Sequence, residues 1–196
     1  MRNARIRLSV VAAVVVLIGL VSALAWAEHA DYKDGNDTAS VLDVHVVKFN
    51  QPKGEAPAWT VITFATWKVG QLWDRGYVYL EIDAQGKERA DYYALIRSKG
   101  TALAAQLYRV ATKPRGADRA VGHLVVWRKT NNGVSVKIPL KRLRFGPYRR
   151  FYRWWLETSF TSAKCPRACV DRVPNDGSVQ QWRPGMSPSA TVSPSP

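Results

Sequence analysis

The chain has 196 residues, of which 29 are lysine or arginine and 15 are aspartate or glutamate. Its length suits one domain rather than two, and its two cysteines and three scattered histidines disfavour a four-ligand zinc site. The net positive charge attracts polyanions such as wall polymers, anionic lipids or nucleic acid, but a solvated basic surface explains it as well, so charge alone selects no partner.

The first 27 residues have the layout of a secretory signal peptide. Three arginines precede an uncharged apolar run over residues 8–24, and small residues flank Trp26, which predicts cleavage after Ala27. An uncleaved membrane anchor is the alternative, because the apolar run approaches the length of a spanning helix. We therefore expect a secreted or cell-wall-associated protein.

An acidic lead-in is predicted over residues 28–40, upstream of the first strand. Four aspartates crowd this region and its edge: Asp31, Asp34, Asp37 and Asp43. Carboxylate oxygens suit calcium, so this cluster is one possible cation site. The favoured interpretation is an exposed turn over residues 34–37 whose charges stay in water.

A two-residue apolar period begins at Val41, as in "VLDVHVVKF", and is typical of a half-buried strand. Similar stretches, rich in β-branched and aromatic residues and separated by glycine, proline and asparagine turns, continue to residue 160. The predicted strands cover residues 41–49, 59–67, 77–83, 90–97, 101–110, 121–129, 133–139 and 151–160. The stretch "TALAAQL" has helix propensity but is short and uncapped, so it too is predicted as a strand.

This pattern predicts an all-β fold, an antiparallel β-sandwich of about eight strands over residues 41–183. A short helical or turn segment is expected over residues 139–145, with Pro139 at its first position. The Pro/Ser-rich end over residues 184–196 has no apolar pattern and is predicted to be a disordered tail.

The stretch "IDAQGKERADYY" begins like a calcium loop. Aligned from Asp83, however, the third and fifth ligand positions are Gln85 and Lys87, so the EF-hand pattern fails and a hairpin is favoured. Calcium held by Asp83 and Asp91 in another geometry is the lesser alternative, and we expect no cofactor. The same two carboxylates are candidates for glycosidic hydrolysis.

Cys165 and Cys169 lie in the predicted exported part, where oxidising conditions let disulfides persist. A three-residue spacer can bring their Cα atoms within bridging distance in a turn, whereas a thioredoxin-type redox pair has two intervening residues. The sequence therefore predicts a disulfide between them.

The run "VKIPLKRLRFGPYRRFYRWW" interleaves basic and aromatic side chains and contains no acid. Arginine forks chelate anionic groups and aromatic rings stack on sugars or bases, so the run is a candidate site for an anionic glycan or wall polymer. The candidate ligand-binding residues are Lys141, Arg142, Arg144, Arg149, Arg150 and Arg153. The alternative is that strand alternation buries Tyr152, Trp154, Leu156 and Phe160 and leaves only arginines outside.

The order of motifs resembles a group of small secreted actinobacterial β-sandwich proteins of unassigned function, loosely similar to carbohydrate-binding modules. The motifs are "IDxxGxxxxDYY", "VxVKIPLxxL" and "CPxxCxDxVPNDGxV", across about residues 31–180. The relatives' hairpin often carries extra acids that suit calcium, where this chain has Gln85 and Lys87. The resemblance implies fold and location rather than activity.

We therefore expect a monomeric, non-enzymatic binding or structural module of the cell surface. The alternative is a secreted hydrolase that acts on glycans through carboxylates, although the sequence has no nucleophile elbow, zinc-protease motif or phosphate-binding loop. Nucleic acid is a less suitable partner, because export separates the protein from it.

Overall fold

The computed structural model describes residues 28–51, 58–68, 76–87, 89–113, 116–145, 152–175 and 180–182. The predicted signal peptide over residues 1–27 and the predicted tail over residues 184–196 lie outside the described residues. In the part of the chain that is described, no helix has the length and apolar character needed to cross a membrane.

The described residues form strands and one 3-10 turn, in two antiparallel sheets. The strands are β1 (Glu28–Lys33), β2 (Val44–Gln51), β3 (Trp59–Thr66), β4 (Gly76–Asp83), β5 (Tyr92–Lys99), β6 (Ala102–Arg109), β7 (Arg119–His123), β8 (Val125–Thr130), β9 (Gly133–Pro139), β10 (Tyr152–Ser162), β11 (Cys165–Val173) and β12 (Gln180–Trp182). The five-stranded sheet has the order β1-β2-β3-β9-β8. The seven-stranded sheet has the order β11-β10-β4-β5-β6-β7, with β12 paired to β10.

The predicted antiparallel β-sandwich is confirmed, and each of the eight predicted segments contains a strand. The stretch "TALAAQL" is extended in β6, because its neighbours β5 and β7 pair with it on both sides. The segment predicted over residues 139–145 forms a 3-10 turn at Leu140–Arg142, directly after Pro139. Pairing with neighbours therefore decides the two segments whose local propensity is ambiguous.

Three strands were not predicted from the sequence. The strand β1 lies inside the acidic lead-in and pairs with β2, so the five-stranded sheet begins at Glu28 rather than at Val41. The strands β11 and β12 both pair with β10. These segments are polar or short, and partner strands supply the stability that their own sequences lack.

The predicted strand over residues 121–129 is two strands in different sheets. The strand β7 pairs with β6 and β8 pairs with β9, so the chain crosses between the sheets at buried Leu124. Gly122 has φ +155° just before this crossing, and an added Cβ there would lie 3.1 Å from an Arg142 guanidinium nitrogen. A glycine thus leaves room for the Arg142 side chain that crosses here.

Aromatic side chains fill one part of the core between the sheets. The Phe49 ring centroid lies 4.7 Å from that of Trp154 and 5.1 Å from that of Trp182. All three side chains are at most 2% exposed. The indole N–H of Trp182 donates to Gln51 Oε1 at 3.1 Å, so this last described strand is fixed by both packing and a hydrogen bond.

Candidate functional site

The outer surface of the seven-stranded sheet carries a row of tyrosines. Alternation turns Val78, Leu80 and Ile82 of β4 into the core, so their strand neighbours Tyr77 and Tyr79 face outward. Tyr93 of β5 and Tyr108 of β6 continue the row. We call the surface formed by Tyr77, Tyr79, Tyr93 and Tyr108 the tyrosine face.

Successive rings of the tyrosine face are in contact range. Their centroids are separated by 6.4 Å from Tyr77 to Tyr79, 6.0 Å from Tyr79 to Tyr93 and 5.0 Å from Tyr93 to Tyr108. The last pair is stacked, with 13° between the ring planes. Because Tyr77 is 41% exposed and the other three are half-buried, the row presents a broad aromatic surface to solvent.

A second line of side chains crosses the same surface. Trp155 of β10 lies opposite Glu81 of β4, which lies opposite Tyr93 of β5. The guanidinium of Arg172 sits 5.6 Å from the centroid of the Trp155 ring. The indole therefore lies on the outer surface beside the tyrosine face and makes a cation–π contact with Arg172.

A half-buried carboxylate lies at the centre of this surface. Burial raises the pKa of Glu81 to about 7, and the negative charges of Glu157 and Asp118 raise it further, against the opposing effect of Arg172. Burial and the Asp118 carboxylate also raise the pKa of Tyr93 to about 12, and its hydroxyl donates to Asp118 Oδ2 at 3.1 Å. The tyrosine face is thus aromatic with an acidic centre.

The candidate basic residues are spread over two places. Lys141 and Arg144 are exposed in and beside the 3-10 turn, whereas Arg153 is half-buried on β10, opposite Asp83. The Nη1 atom of Arg142 donates to the backbone carbonyl oxygen of His123 at 2.8 Å, so this residue holds the chain together at the sheet crossing. Arg149 and Arg150 lie outside the described residues.

The strand alternation predicted for residues 151–160 holds for three of the four side chains named. Tyr152, Trp154 and Leu156 are fully buried, and Phe160 packs against the core while partly exposed. The outward side chains include Trp155 as well as arginine, so the expectation of arginines alone on the outside is incomplete.

A small pocket of about 110 Å³ lies where the hairpin after β4 meets the end of β6. Three basic side chains, Lys87, Arg89 and Arg109, line it together with Asp91. The pocket therefore places three positive charges at this end of the seven-stranded sheet.

The two carboxylates of the predicted hairpin serve its backbone. Asp83 Oδ1 accepts hydrogen bonds from the backbone N–H groups of Gln85, Gly86 and Lys87. Asp91 Oδ2 accepts a second one from Gln85 at 2.8 Å. These oxygens face backbone donors, which favours the hairpin interpretation over a cation ligand set.

Three other aspartates, distant in sequence, meet where the loop before β2 crosses β11. One carboxylate oxygen from each of Asp37, Asp43 and Asp171 lies within 4.8 Å of the others. The backbone N–H of Val44 donates to Asp171 Oδ2 at 2.7 Å, and Asn175 Nδ2 donates to Asp37 Oδ2 at 2.6 Å. We call Asp37, Asp43 and Asp171 the inter-sheet aspartates.

Burial dominates the electrostatics of the inter-sheet aspartates. It raises the pKa of Asp171 to about 7, with smaller contributions from the neighbouring carboxylates, against one backbone hydrogen bond. Burial, and next the negative charge of Asp37, also raise the pKa of Asp43. Lys68 partly offsets the rise, as do the backbone N–H groups of Asp37 and Thr38, which approach Asp43 without meeting regular hydrogen-bond geometry. Asp34 beside them has its pKa raised to about 6 by burial. Residues 35–37 are exposed, as predicted for the turn, but Asp34 is half-buried. Asp43 is fully buried, so not all charges of the acidic cluster stay in water.

The predicted disulfide between Cys165 and Cys169 is formed, with the Cα atoms 5.3 Å apart. Ala168 in its short loop has φ +74°, a left-handed conformation that closes the turn. A disulfide is compatible with an extracellular protein.

Comparison of the chain with family models, curated proteins and solved structures finds no match to any of them. Two features escaped the sequence analysis: the tyrosine face and the meeting of Asp171 with Asp43. Only part of the first was detectable, because the tyrosines of "YVYLEID" alternate with inward residues whereas Tyr93 and Tyr108 join them through strand pairing. The second joins positions 128 residues apart, which strand alternation does not reveal.

Proposed function

We propose that the protein is a secreted or wall-associated, non-enzymatic module that binds glycans across the tyrosine face. The observation that carries the proposal is the row of four tyrosine rings on an outer sheet surface. A large exposed aromatic patch promotes aggregation, so such a patch on a folded protein often marks a binding site. A pyranose ring has one apolar C–H face, which packs on an aromatic ring while the sugar hydroxyls form hydrogen bonds.

Polar groups for those hydroxyls stand among the rings. Glu81 and Glu157 belong to the same outer surface, and the Tyr108 hydroxyl donates to Gln106 Oε1 at 3.3 Å. Rigid rings with few rotatable bonds lose little conformational entropy on binding, and a flat sheet holds them at fixed spacing. This combination of stacking and hydrogen bonding supports recognition of an extended sugar chain.

The charge distribution predicts that the neutral and the anionic parts of the ligand bind at different places on the sheet. Because Glu81, Glu157 and Asp118 place carboxyl groups beside the rings of the tyrosine face, we expect neutral sugar rings there. Anionic substituents of a wall polymer would instead face Lys87, Arg89 and Arg109 at the end of the sheet. These three basic side chains then contribute a salt-sensitive attraction, and the tyrosine face contributes a salt-insensitive one.

The test compares ring removal with charge removal. A Tyr79→Val/Tyr93→Val variant keeps strand propensity and removes two rings, and Trp127→Val on the five-stranded sheet is the matched control. Binding is measured on a panel of insoluble neutral and anionic polysaccharides and wall preparations at low and moderate salt. We expect the double variant to lose at least tenfold in retention and the control to bind normally. Equal retention of all three proteins would refute the proposal.

One observation favours a second candidate, a glycan hydrolase. A carboxyl whose pKa is raised to about 7, next to another carboxylate, is the pattern of a general acid paired with a base or nucleophile. Glu81 and Glu157 are diagonal neighbours on β4 and β10, which suits a short carboxylate separation. This pair replaces Asp83 and Asp91 as the candidate carboxylates, because those two bond to the hairpin backbone.

Release of reducing sugar ends from the same polysaccharide panel tests the hydrolase candidate. Activity that Glu81→Gln abolishes, with binding retained, would establish it. The binding proposal predicts instead that Glu81→Gln changes retention modestly and that no reducing ends appear with either protein.

A further inference from the structure

We propose that the inter-sheet aspartates bind one calcium ion that joins the two sheets of the sandwich. The site lies apart from the tyrosine face, since Asp171 pairs in register with Thr158 and its carboxylate reaches inward to the start of β2. The proposed cation site is therefore separate from the surface that the proposed function uses.

The spacing of the carboxylates suits this ion. Calcium takes six to eight oxygen ligands at about 2.3–2.6 Å, so ligands on opposite sides of the ion stand about 4.6–5.2 Å apart. The three carboxylate oxygens lie within 4.8 Å of one another. Magnesium binds at about 2.0–2.1 Å, requires near-ideal octahedral geometry and usually keeps several waters, so an irregular set of protein oxygens suits calcium better.

Three buried oxygens of the site have no hydrogen-bond partner among the described residues. They are both carboxylate oxygens of Asp43, which is 0% exposed, and Oδ1 of Asp171, which is 2% exposed. A buried, unpaired carboxylate is costly in a protein interior unless a cation or a proton neutralises it. Asp34 Oδ2 and Thr38 Oγ1 on the same loop are likewise buried and without partners, so further oxygens are at hand.

Surrounding groups hold the carboxylates in place. Asn175 binds one oxygen of Asp37, and the Val44 N–H binds Oδ2 of Asp171, which leaves the Oδ1 atom of Asp171 for the ion. Outer hydrogen bonds of this kind fix the orientation of metal ligands. The arrangement therefore has the oriented ligands of a cation site.

Lys68 is a cation beside the cluster that interacts electrostatically with Asp43. Its Nζ atom, however, donates to the backbone carbonyl oxygens of Thr38 at 3.3 Å and Ser40 at 3.0 Å. One lysine so engaged leaves three clustered carboxylates with excess negative charge. A divalent cation removes that excess, whereas Lys68 alone does not.

Calcium would couple the two halves of the sandwich. Asp43 directly precedes β2 of the five-stranded sheet, whereas Asp171 lies in β11 of the seven-stranded sheet. An ion held by both binds only the folded chain, because unfolding separates these ligands. Binding then stabilises the fold by mass action.

The test is calcium titration of the purified protein after treatment with EDTA and removal of the chelator. We expect 1 mM calcium to raise the midpoint of thermal unfolding by several degrees, and magnesium to raise it less. Terbium should give sensitised luminescence that calcium displaces, because the indole N–H of Trp67 binds Gly35 on the loop that carries Asp37.

Asp43→Asn and Asp171→Asn should each weaken calcium binding at least tenfold, whereas exposed Asp31→Asn should leave it unchanged. If the buried variants do not fold, exposed Asp37→Asn serves in their place. The proposal is wrong if calcium does not change the wild-type midpoint, or if the response survives Asp43→Asn. It is also wrong if the response depends on Asp83 instead.

Discussion

Two groups of aspartates in this fold differ in how their buried carboxylates are hydrogen-bonded. In the hairpin, Asp83 is 1% exposed, yet three backbone N–H groups donate to its Oδ1 atom. Between the sheets, Asp43 is equally buried, and neither of its oxygens has a hydrogen-bond partner in the part of the chain that the structure describes. The comparison teaches that burial does not mark a cation site by itself; the number of unused oxygens does.

The hairpin gives the largest expected effect. Replacing Asp83 by Ala removes the acceptor for three N–H groups in a partly buried turn. We expect the free energy of unfolding to fall by about 3 kcal/mol, because each unsatisfied donor is costly. Urea unfolding measures the loss. Asp31→Ala on β1, whose Lys48 ion pair is exposed, should lose less than about 1 kcal/mol. Equal losses would mean that the turn does not depend on its carboxylate.

Replacing Asp43, between the sheets, should change the free energy of unfolding in the opposite direction. In the presence of chelator at pH 8, Asp43→Asn removes a buried negative charge and keeps the shape of the side chain. We expect the free energy of unfolding to rise by about 2 kcal/mol, or at least not to fall. The measurement is urea unfolding in EDTA. A loss above about 1 kcal/mol would show that Asp43 already has a stabilising partner without a metal.

Glu81 tests whether a raised pKa is itself a sign of a cation site. Its folded pKa of about 7 lies above the ordinary value of 4.5, so folding favours the protonated side chain. The resulting stability is complete below about pH 4.5 and is lost as pH rises through about 7. After allowance for partial exposure, the loss is about 1–2 kcal/mol.

Unfolding measured from pH 4.5 to 8 should therefore show a weaker pH dependence for Glu81→Gln than for the wild type. Calcium should stabilise Glu81→Gln and the wild type equally, because Glu81 lies on the outer surface of the seven-stranded sheet and not between the sheets with the inter-sheet aspartates. A calcium response that disappears in Glu81→Gln would contradict this expectation.

Lys68 gives the smallest effect. Lys68→Gln removes two hydrogen bonds to loop carbonyl oxygens and a positive charge beside Asp43. We expect the free energy of unfolding, measured by urea in the presence of EDTA, to fall by about 1 kcal/mol. The loss should shrink when calcium is added, because the ion supplies the missing positive charge. A loss that is the same in both conditions would assign Lys68 to the loop alone.

The sheet architecture could be predicted from the sequence because inward residues repeat every second position. In β4, Val78, Leu80 and Ile82 reveal the strand without any knowledge of its partners. The strands β11 and β12 could not be found this way. Both obtain their order from pairing with β10, which is a property of the folded chain.

The candidate sites were less predictable than the fold. The run of basic and aromatic residues suggested one binding surface, but the fold buries Trp154, turns Trp155 outward and fixes Arg142 to a backbone carbonyl. The rings that form the tyrosine face come from three strands, and only strand register places them side by side. Sheet order therefore had to be known before the aromatic surface could be recognised.

The first and last described strands meet in this molecule. The Tyr32 hydroxyl of β1 donates to the Gln181 carbonyl oxygen of β12, and Trp182 closes over Phe49 of β2. Contacts between segments so far apart in sequence make for slow folding, since long loops must close before these contacts form. The proposed export as an extended chain would gain from this delay, because the sandwich closes only after the last described strand has arrived.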